Sequence, residues 1–210
     1  MKLLLLGATG LVGRHVLTLA LSDSRFSEVV APTRRPLEPN SKLVNPIASR
    51  LEALLPALMS YHPDAVICAL GTTQAKAGSK QAFRYVDHDL PIAFGKAAYA
   101  EGVETYAVVT AMGASIDSSS FYYRTKGEVE QGIQKIGFRS LTICRPSLIG
   151  GERNETRRAE SAALALVRVL APILPKKFRV NPAQVIAASL LDAAIAAKTG
   201  CQWIHAEEMN

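Results

Sequence analysis

The chain has 210 residues, of which 24 are lysine or arginine and 18 are aspartate or glutamate, so its formal net charge is +6. Hydrophobic residues make up 49% of the chain and charged residues 20%, which excludes a disordered or fibrous protein and suits one domain with a substantial core. The positive charge favours anionic partners, whether nucleic acids, membranes or phosphorylated small molecules.

Short apolar runs alternate with helical patterns along the chain. The predicted strands are residues 2–6, 28–32, 42–44, 65–70, 105–110, 140–145 and 201–205. The predicted helices are residues 11–21, 48–58, 80–101, 122–136, 160–170 and 183–197. Because the alternation implies right-handed crossovers and the strands are apolar throughout, we predict an α/β fold. Its core would be a Rossmann-like, doubly wound parallel sheet with helices on both faces.

Three glycines separate the first predicted strand from the first predicted helix, in the segment LLLLGATGLVG. In this context Gly7 permits a sharp turn, Gly10 lets the backbone approach a pyrophosphate, and Gly13 lets the helix pack closely on the strand. The N–H groups at the start of the helix would face the phosphates. The residues predicted to bind a dinucleotide here are Gly7, Thr9, Gly10, Leu11, Val12 and Gly13. The alternative is a strand–turn–helix with a purely structural role.

The end of the second predicted strand reads VVAPTRRP and contains no acidic residue. NAD sites usually place an acid there to bind the ribose hydroxyls, whereas guanidinium groups match a 2′-phosphate. We therefore predict that Thr33, Arg34 and Arg35 bind the 2′-phosphate of NADP(H). The alternative is a solvated basic turn.

The segment YYRTK places Tyr122 and Lys126 four residues apart on one face of a predicted helix. A nearby ammonium stabilises phenolate and lowers the pKa of a tyrosine, which makes that tyrosine a proton donor to a carbonyl that receives hydride. Tyr123, three residues before the lysine, is the runner-up for this role.

These motifs and the segment RPSLIGG together resemble the atypical short-chain dehydrogenase/reductase superfamily. Within it, residues 70–89 and 122–130 closely resemble the Tat-interacting, NADPH-binding oxidoreductase-like proteins, and the likeness runs from residue 3 to about residue 191. The resemblance implies NADPH across the carboxyl ends of the strands, with Tyr122 as the acid and Lys126 as its pKa partner and ribose ligand.

The resemblance also implies further site residues. Thr110, or less favourably Ser115, stands where this superfamily uses a serine or threonine to hold the substrate oxygen. A strand-end hydroxyl bonded to the backbone is the other interpretation of Thr110. Asp87 falls where relatives often have asparagine. The remaining cofactor contacts that the resemblance implies are Leu70, Gly71, Thr72, Thr73, Pro146, Ser147 and Leu148.

We expect a single NAD(P)-binding domain over residues 1–210, in which the polar, arginine-bearing residues 146–182 contribute a small substrate lobe or lid. Arg153, Arg157 and Arg158 lie there, and they would either recognise an acidic or phosphorylated substrate or belong to a solvated helix start. The histidines are scattered without partners at ligand spacing, so no metal site is expected.

The opening segment MKLLLLG is too short for a secretory signal, and no apolar run reaches the roughly 20 residues of a membrane helix. The three cysteines, Cys68, Cys144 and Cys201, lie far apart among apolar residues, which indicates reduced, buried thiols. We therefore expect a cytoplasmic protein. Its basic residues are spread along the chain without a nucleic-acid motif, so neither nucleic acid nor membrane is an expected partner.

The first hypothesis is an NADPH-dependent oxidoreductase that transfers hydride to a small carbonyl-type substrate, with Tyr122 as proton donor, Lys126 tuning it and Thr110 orienting the substrate. The second is an NADPH-binding regulatory or interaction protein with little catalytic activity. A homodimer or a protein partner is compatible with both hypotheses.

Overall fold

The computed structural model describes residues 1–150, 175 and 179–210. The strands are β1 (Lys2–Leu6), β2 (Glu28–Val30), β3 (Leu43–Val44), β4 (Ala65–Cys68), β5 (Thr105–Val109), β6 (Ser140–Arg145), β7 (Ile149–Gly150), β8 (Asn181–Pro182) and β9 (Gly200–His205). The α-helices are α1 (Leu11–Ser22), α2 (Leu55–Met59), α3 (Gln74–Ala77), α4 (Lys80–Arg84), α5 (Leu90–Ala100), α6 (Phe121–Gln134) and α7 (Ala183–Ala196). Within these described ranges, no helix is long and apolar enough to cross a membrane.

Seven of the strands form one parallel sheet in the order β3-β2-β1-β4-β5-β6-β9. The chain starts in the middle of the sheet, builds outward through β2 and β3, and then returns across β1 to build the other half. The sheet therefore has a switch point between β1 and β4, where the crevice of a doubly wound fold lies. This arrangement confirms the predicted α/β fold. Separately, β7 and β8 pair in parallel with each other.

Both faces of the sheet are buried at its central strands, which explains why β1, β4 and β5 are mostly apolar. In β1, Leu3 and Leu5 face a core formed with α1 and α7, whereas Leu4 and Leu6 face a second core formed with α5 and α6. All four leucines are fully buried, and each contributes about 1.5–3 kcal/mol from removal of its side chain from water.

The single helix predicted over residues 80–101 is interrupted. A π-helical turn, Tyr85–Asp89, separates α4 from α5, and the Leu90 N–H bonds to the Tyr85 carbonyl five residues earlier. Pro91 follows at the start of α5 and has no N–H to continue the ordinary ladder. The wide turn directs Asp87 into the interior, where its side chain is 1% exposed.

The expectation of three buried thiols is wrong for one of them. Cys68 and Cys144 are buried, but Cys201 is exposed. The reason is topological, because Cys201 lies on β9, the strand at the edge of the sheet, whereas the other two lie on β4 and β6 in its interior.

Candidate functional site

The glycine turn between β1 and α1 is packed too closely for side chains. Gly7 has φ +86°, and a Cβ there would lie 2.6 Å from the Ala69 carbonyl oxygen. A Cβ on Gly13 would lie 2.0 Å from the Gly7 carbonyl oxygen. The turn, the helix and the end of β4 therefore meet backbone to backbone, as the glycine spacing predicted.

The N-terminus of α1 suits an anion. Gly10 is the N-cap residue, no side chain caps the helix, and its first turn has no acidic residue. Thr9 and Gly10 are exposed, whereas the Val12 side chain is buried in the core. Because the first N–H groups of a 12-residue helix carry its positive dipole end, these residues fit a pyrophosphate through their backbone.

The turn after β2 presents two cationic side chains. Arg34 and Arg35 are both exposed there. Thr33 is buried; its hydroxyl donates to the Arg35 carbonyl over 2.6 Å and accepts a hydrogen bond from Asn45 Nδ2 over 2.8 Å. Thr33 therefore shapes the turn, and the guanidinium groups are the available ligands for a phosphate.

The segment after β4 connects the turn to the rest of the site. The Thr72 N–H donates to Asp87 Oδ2 over 2.8 Å, and the Thr73 hydroxyl caps α3 by accepting from the Lys76 N–H. Gly71 is exposed beside Thr72, and Leu70 is half-buried. These residues lie at the carboxyl end of a central strand, next to the glycine turn.

Lys126 is buried on α6 and paired with Asp87. Its ammonium nitrogen lies 2.7 Å from Asp87 Oδ1, and the two side chains are 6% and 1% exposed. Burial of the ammonium lowers the pKa of Lys126, but the negative Asp87 carboxylate and the adjacent Tyr122 offset that effect, so the pKa lies above its usual value. Lys126 is therefore a cation held at the carboxyl end of β4.

Tyr122 is half-buried one turn before Lys126. Its ring lies 5.8 Å from Phe83 and 5.2 Å from Tyr123, measured between centroids. Burial raises the pKa of Tyr122; Lys126 opposes this increase, whereas Asp87 and Tyr123 add to it, and the net shift is upward. Lys126 thus lowers the pKa of Tyr122 as expected, but burial, with Asp87 and Tyr123, outweighs that effect.

The runner-up tyrosine lies further out. Tyr123 is 41% exposed, and its carbonyl accepts a hydrogen bond from the Ser115 N–H over 3.1 Å. Ser115 is itself exposed, and its hydroxyl oxygen accepts from the Asp117 N–H. The helix therefore places Tyr122, and not Tyr123, toward the buried Lys126 and Asp87 pair.

Thr110 belongs to a buried polar cluster. Its hydroxyl donates to Glu130 Oε1 over 2.6 Å, and Glu130 accepts from Arg145 Nε over 2.9 Å and from Nη2 over 2.5 Å. The Arg145 guanidinium stacks 4.3 Å above the ring of Trp203. The Thr110 hydroxyl hydrogen is thus already donated within the core, and its partner is a carboxylate rather than the backbone alone.

The segment after β6 is tied to the C-terminal end of the chain. Pro146 is buried, Leu148 is exposed, and the Ser147 N–H donates to Asn181 Oδ1 over 2.7 Å. Asn181 is fully buried and donates to the Ala206 carbonyl over 2.8 Å. The Ser147 N–H therefore already has an acceptor in Asn181, and the contact of Ser147 with a cofactor stays a prediction.

Arg153, Arg157 and Arg158, and most of residues 146–182, lie outside the described residues, so the predicted lobe stays a prediction. Among the residues that the structure describes, no group of three or more histidine, cysteine, aspartate or glutamate side chains could hold a metal ion.

Sequence reasoning gave Glu130 no role and Asp87 no definite one. The available signal was the spacing on α6, where Lys126 and Glu130 are charged residues one turn apart on the face that also carries buried Val129 and Ile133. Charges on a buried face require partners from other elements. Asp87 and Arg145 are those partners.

Comparison with known proteins supports the cofactor site. Residues 7–163 match the family model described as NAD(P)H-binding. The chain is 37% identical over 171 residues to "Protein fmp52, mitochondrial" of Emericella nidulans, a match that covers 76% of this chain and 71% of that protein. It is 33% identical over 210 residues to the protein of the same name from Aspergillus niger, a match that covers 93% of this chain and 88% of that protein.

Solved structures share the fold. The Bordetella bronchiseptica enzyme WbmH in complex with NAD+ superposes with a TM-score of 0.74 at 16% identity, covering 97% of this chain and 75% of that one. UDP-glucose 4-epimerase from Thermotoga maritima gives 0.73 at 14% identity, covering 98% and 77%. These similarities establish that this chain shares its fold with WbmH and with UDP-glucose 4-epimerase.

The expectation of a cytoplasmic protein is contradicted by these relatives, whose names describe them as mitochondrial. That expectation came from composition and cysteine usage, which report a reducing environment and do not distinguish one reducing compartment from another.

Proposed function

Because this chain belongs to the NAD(P)H-binding family, we propose that it is an NADPH-dependent oxidoreductase of the short-chain dehydrogenase/reductase type. It would transfer hydride to a small carbonyl-type substrate. The observation that carries the proposal is that Tyr122, Lys126 and Asp87 lie together at the carboxyl end of β4. Asp87 also accepts a hydrogen bond from the Thr72 N–H, which lies beside the glycine turn.

The choice of NADPH over NADH rests on Arg34 and Arg35. Both are exposed after β2, on the carboxyl side of a strand that pairs with β1. Two guanidinium groups there match the charge of a 2′-phosphate. The backbone at the start of α1 would hold the pyrophosphate, and Lys126 would contact the ribose.

When bound, NADPH supplies a hydride, which adds to the carbonyl carbon of the substrate. Tyr122 donates its phenolic proton to the carbonyl oxygen, so that the O–H bond of tyrosine breaks as that of the product alcohol forms. Lys126 stabilises the resulting phenolate by its charge, and a proton from water restores the phenol. Asp87 keeps Lys126 in place during this exchange.

A second candidate function is that of an NADPH-binding regulatory or interaction protein. The resemblance to the Tat-interacting proteins is compatible with it. The observations that favour it are the engaged Thr110 hydroxyl and the engaged Lys126 ammonium, since these two groups would otherwise orient the substrate and act on Tyr122 directly. A protein of this class would bind NADPH and capture a partner in a cofactor-dependent manner without turnover.

The test is calorimetric titration with NADPH and NADH, followed by turnover over a panel of aldehydes and ketones. We expect NADPH to bind more tightly, and the Tyr122→Phe variant to bind NADPH normally while turnover falls about 10²–10⁴-fold. The matched control is Tyr123→Phe, which should retain turnover. Absence of NADPH binding would refute the proposal, whereas binding without turnover on any substrate would favour the second candidate.

A further inference from the structure

Asp87 has a closely defined environment. Oδ1 lies 2.7 Å from the Lys126 ammonium, and Oδ2 accepts the Thr72 N–H over 2.8 Å. The Asp87 side chain is 1% exposed and that of Lys126 is 6% exposed. A buried carboxylate and a buried ammonium are each strongly unfavourable alone, so they are stable there as an ion pair.

The pair has an electrostatic consequence for Tyr122. A lone ammonium one helical turn away would stabilise the phenolate, and the Asp87 carboxylate opposes part of that stabilisation. The other titratable groups that act on this cluster are Tyr123, from the same helix, and Cys68, whose thiol has its pKa raised by burial and is therefore neutral.

Two further side-chain contacts involve α4 and the π-helical turn. Arg84 contacts Glu128, and His88 Nδ1 lies 2.7 Å from Asp89 Oδ1. The Arg84 and Glu128 charges oppose each other, and the Asp89 carboxylate has His88 as its hydrogen-bond partner.

We propose that Asp87 is a positioning residue that holds Lys126 and opposes part of its charge, so that Asp87 limits how strongly Lys126 favours the phenolate of Tyr122. This inference rests on the proposed function and assigns Asp87 an electrostatic role in the same site. The upward shift in the pKa of Tyr122, caused by burial with Asp87 and Tyr123 against the opposing effect of Lys126, agrees with it.

The first experiment needs no cofactor. The ionisation of Tyr122 is followed by NMR of protein labelled with ¹³C at the tyrosine ring, and its signal is assigned by comparison with Tyr122→Phe. The expected midpoint lies above that of free tyrosine, about 10. A midpoint below that value would overturn the proposal, and this measurement leaves the Asp87 and Lys126 pair intact.

The second experiment tests the cause with Asp87→Asn. Removal of the carboxylate leaves the Lys126 charge unopposed, so the ionised fraction of Tyr122 at a fixed alkaline pH should rise about tenfold. The matched control is Asp89→Asn, which removes a carboxylate from the same π-helical turn and should leave the titration unchanged. Equal shifts in both variants, or none in a folded Asp87→Asn protein, would contradict the role of Asp87.

A readout in the working enzyme separates this inference from the proposed function. The alkaline limb of kcat/KM for carbonyl reduction reports the proton donor of the free enzyme, so it should move to lower pH in Asp87→Asn. A shifted Tyr122 titration in a protein that does not bind NADPH would refute the proposed function and would leave the electrostatic role of Asp87 supported. An unshifted alkaline limb in an active variant would count against the inference alone.

Discussion

Thr110 donates its hydroxyl hydrogen to Glu130 over 2.6 Å, in a cluster that is buried beneath the end of β5. The residue expected to orient a substrate is thereby also a structural partner of a buried carboxylate. Glu130 is 3% exposed and needs every donor around it, because an unsatisfied carboxylate in the core is costly.

The Thr110→Val variant tests that relationship. The variant keeps the shape of the side chain and removes the donor, so the free energy of unfolding should fall by about 1.5–3 kcal/mol, the range for a hydrogen bond to a charged group. Urea denaturation measures this change. A fully stable variant with turnover reduced about 100-fold would instead assign Thr110 to the substrate.

Arg145 should be more important for stability than its partial exposure suggests. Arg145→Met leaves Glu130 without its two-point partner, and we expect a loss of about 3–5 kcal/mol in the free energy of unfolding. In the double variant Glu130→Gln/Arg145→Met the stranded charge is gone, so the loss should be smaller. A double variant less stable than Arg145→Met would contradict the assignment of the effect to an uncompensated carboxylate.

The glycine turn predicts a sharp steric effect. In Gly13→Ala the new Cβ would lie 2.0 Å from the Gly7 carbonyl oxygen, so α1 must move away from β1 and NADPH affinity should fall at least about tenfold. The folding control is Gly71→Ala. Its new Cβ would have Asp87 Oδ1 as its nearest neighbour, at 3.6 Å, which is an ordinary van der Waals contact. Thermal unfolding should show a lower Tm for Gly13→Ala only.

The two exposed arginines predict cofactor selectivity. Replacement of Arg34 and Arg35 by alanine should weaken NADPH binding by about 10–100-fold and leave NADH binding nearly unchanged, because NADH has no 2′-phosphate to lose. Lys198→Ala removes a positive charge just before β9, at the opposite edge of the sheet, and is the control for net charge. Parallel losses for both cofactors would show that the arginines do not contact the 2′-phosphate.

The buried thiol of Cys144 predicts a loss of stability at alkaline pH. Burial, assisted by Glu208, raises the pKa of Cys144 from 9.0 to about 12. The unfolded chain therefore releases this proton first, and the contribution of the thiol to stability decreases as pH rises from about 9 toward 12. Urea denaturation measures the decrease in the free energy of unfolding between pH 8 and pH 10. That decrease should be about 1.4 kcal/mol smaller in Cys144→Ala than in the parent protein. Equal losses in the two proteins would contradict this linkage.

Much of the fold follows from local patterns. The apolar runs that became β1, β4 and β5 alternate between two cores, so each residue of the run is buried and the run carries a recognisable signature. The spacing of Gly7 and Gly13 also predicted the turn correctly, because the close backbone contact between these two residues leaves no room for a side chain. The interruption of the long helix was not predicted, although the sequence contains Pro91. A π-helical turn forms only where tertiary packing stabilises it, and the local sequence does not show that packing.

The sequence alone therefore established the order of the seven sheet strands along the chain, the glycine turn, the basic end of β2 and the tyrosine–lysine pair. All of these are encoded by residues close together along the chain. It did not establish that Lys126 would face Asp87, or that Thr110 would face Glu130. A buried charge selects its partner from the elements packed around it, and which elements those are depends on how the whole sheet is wound. Burial and these partners together set the pKa of Tyr122 and the availability of the Thr110 hydroxyl.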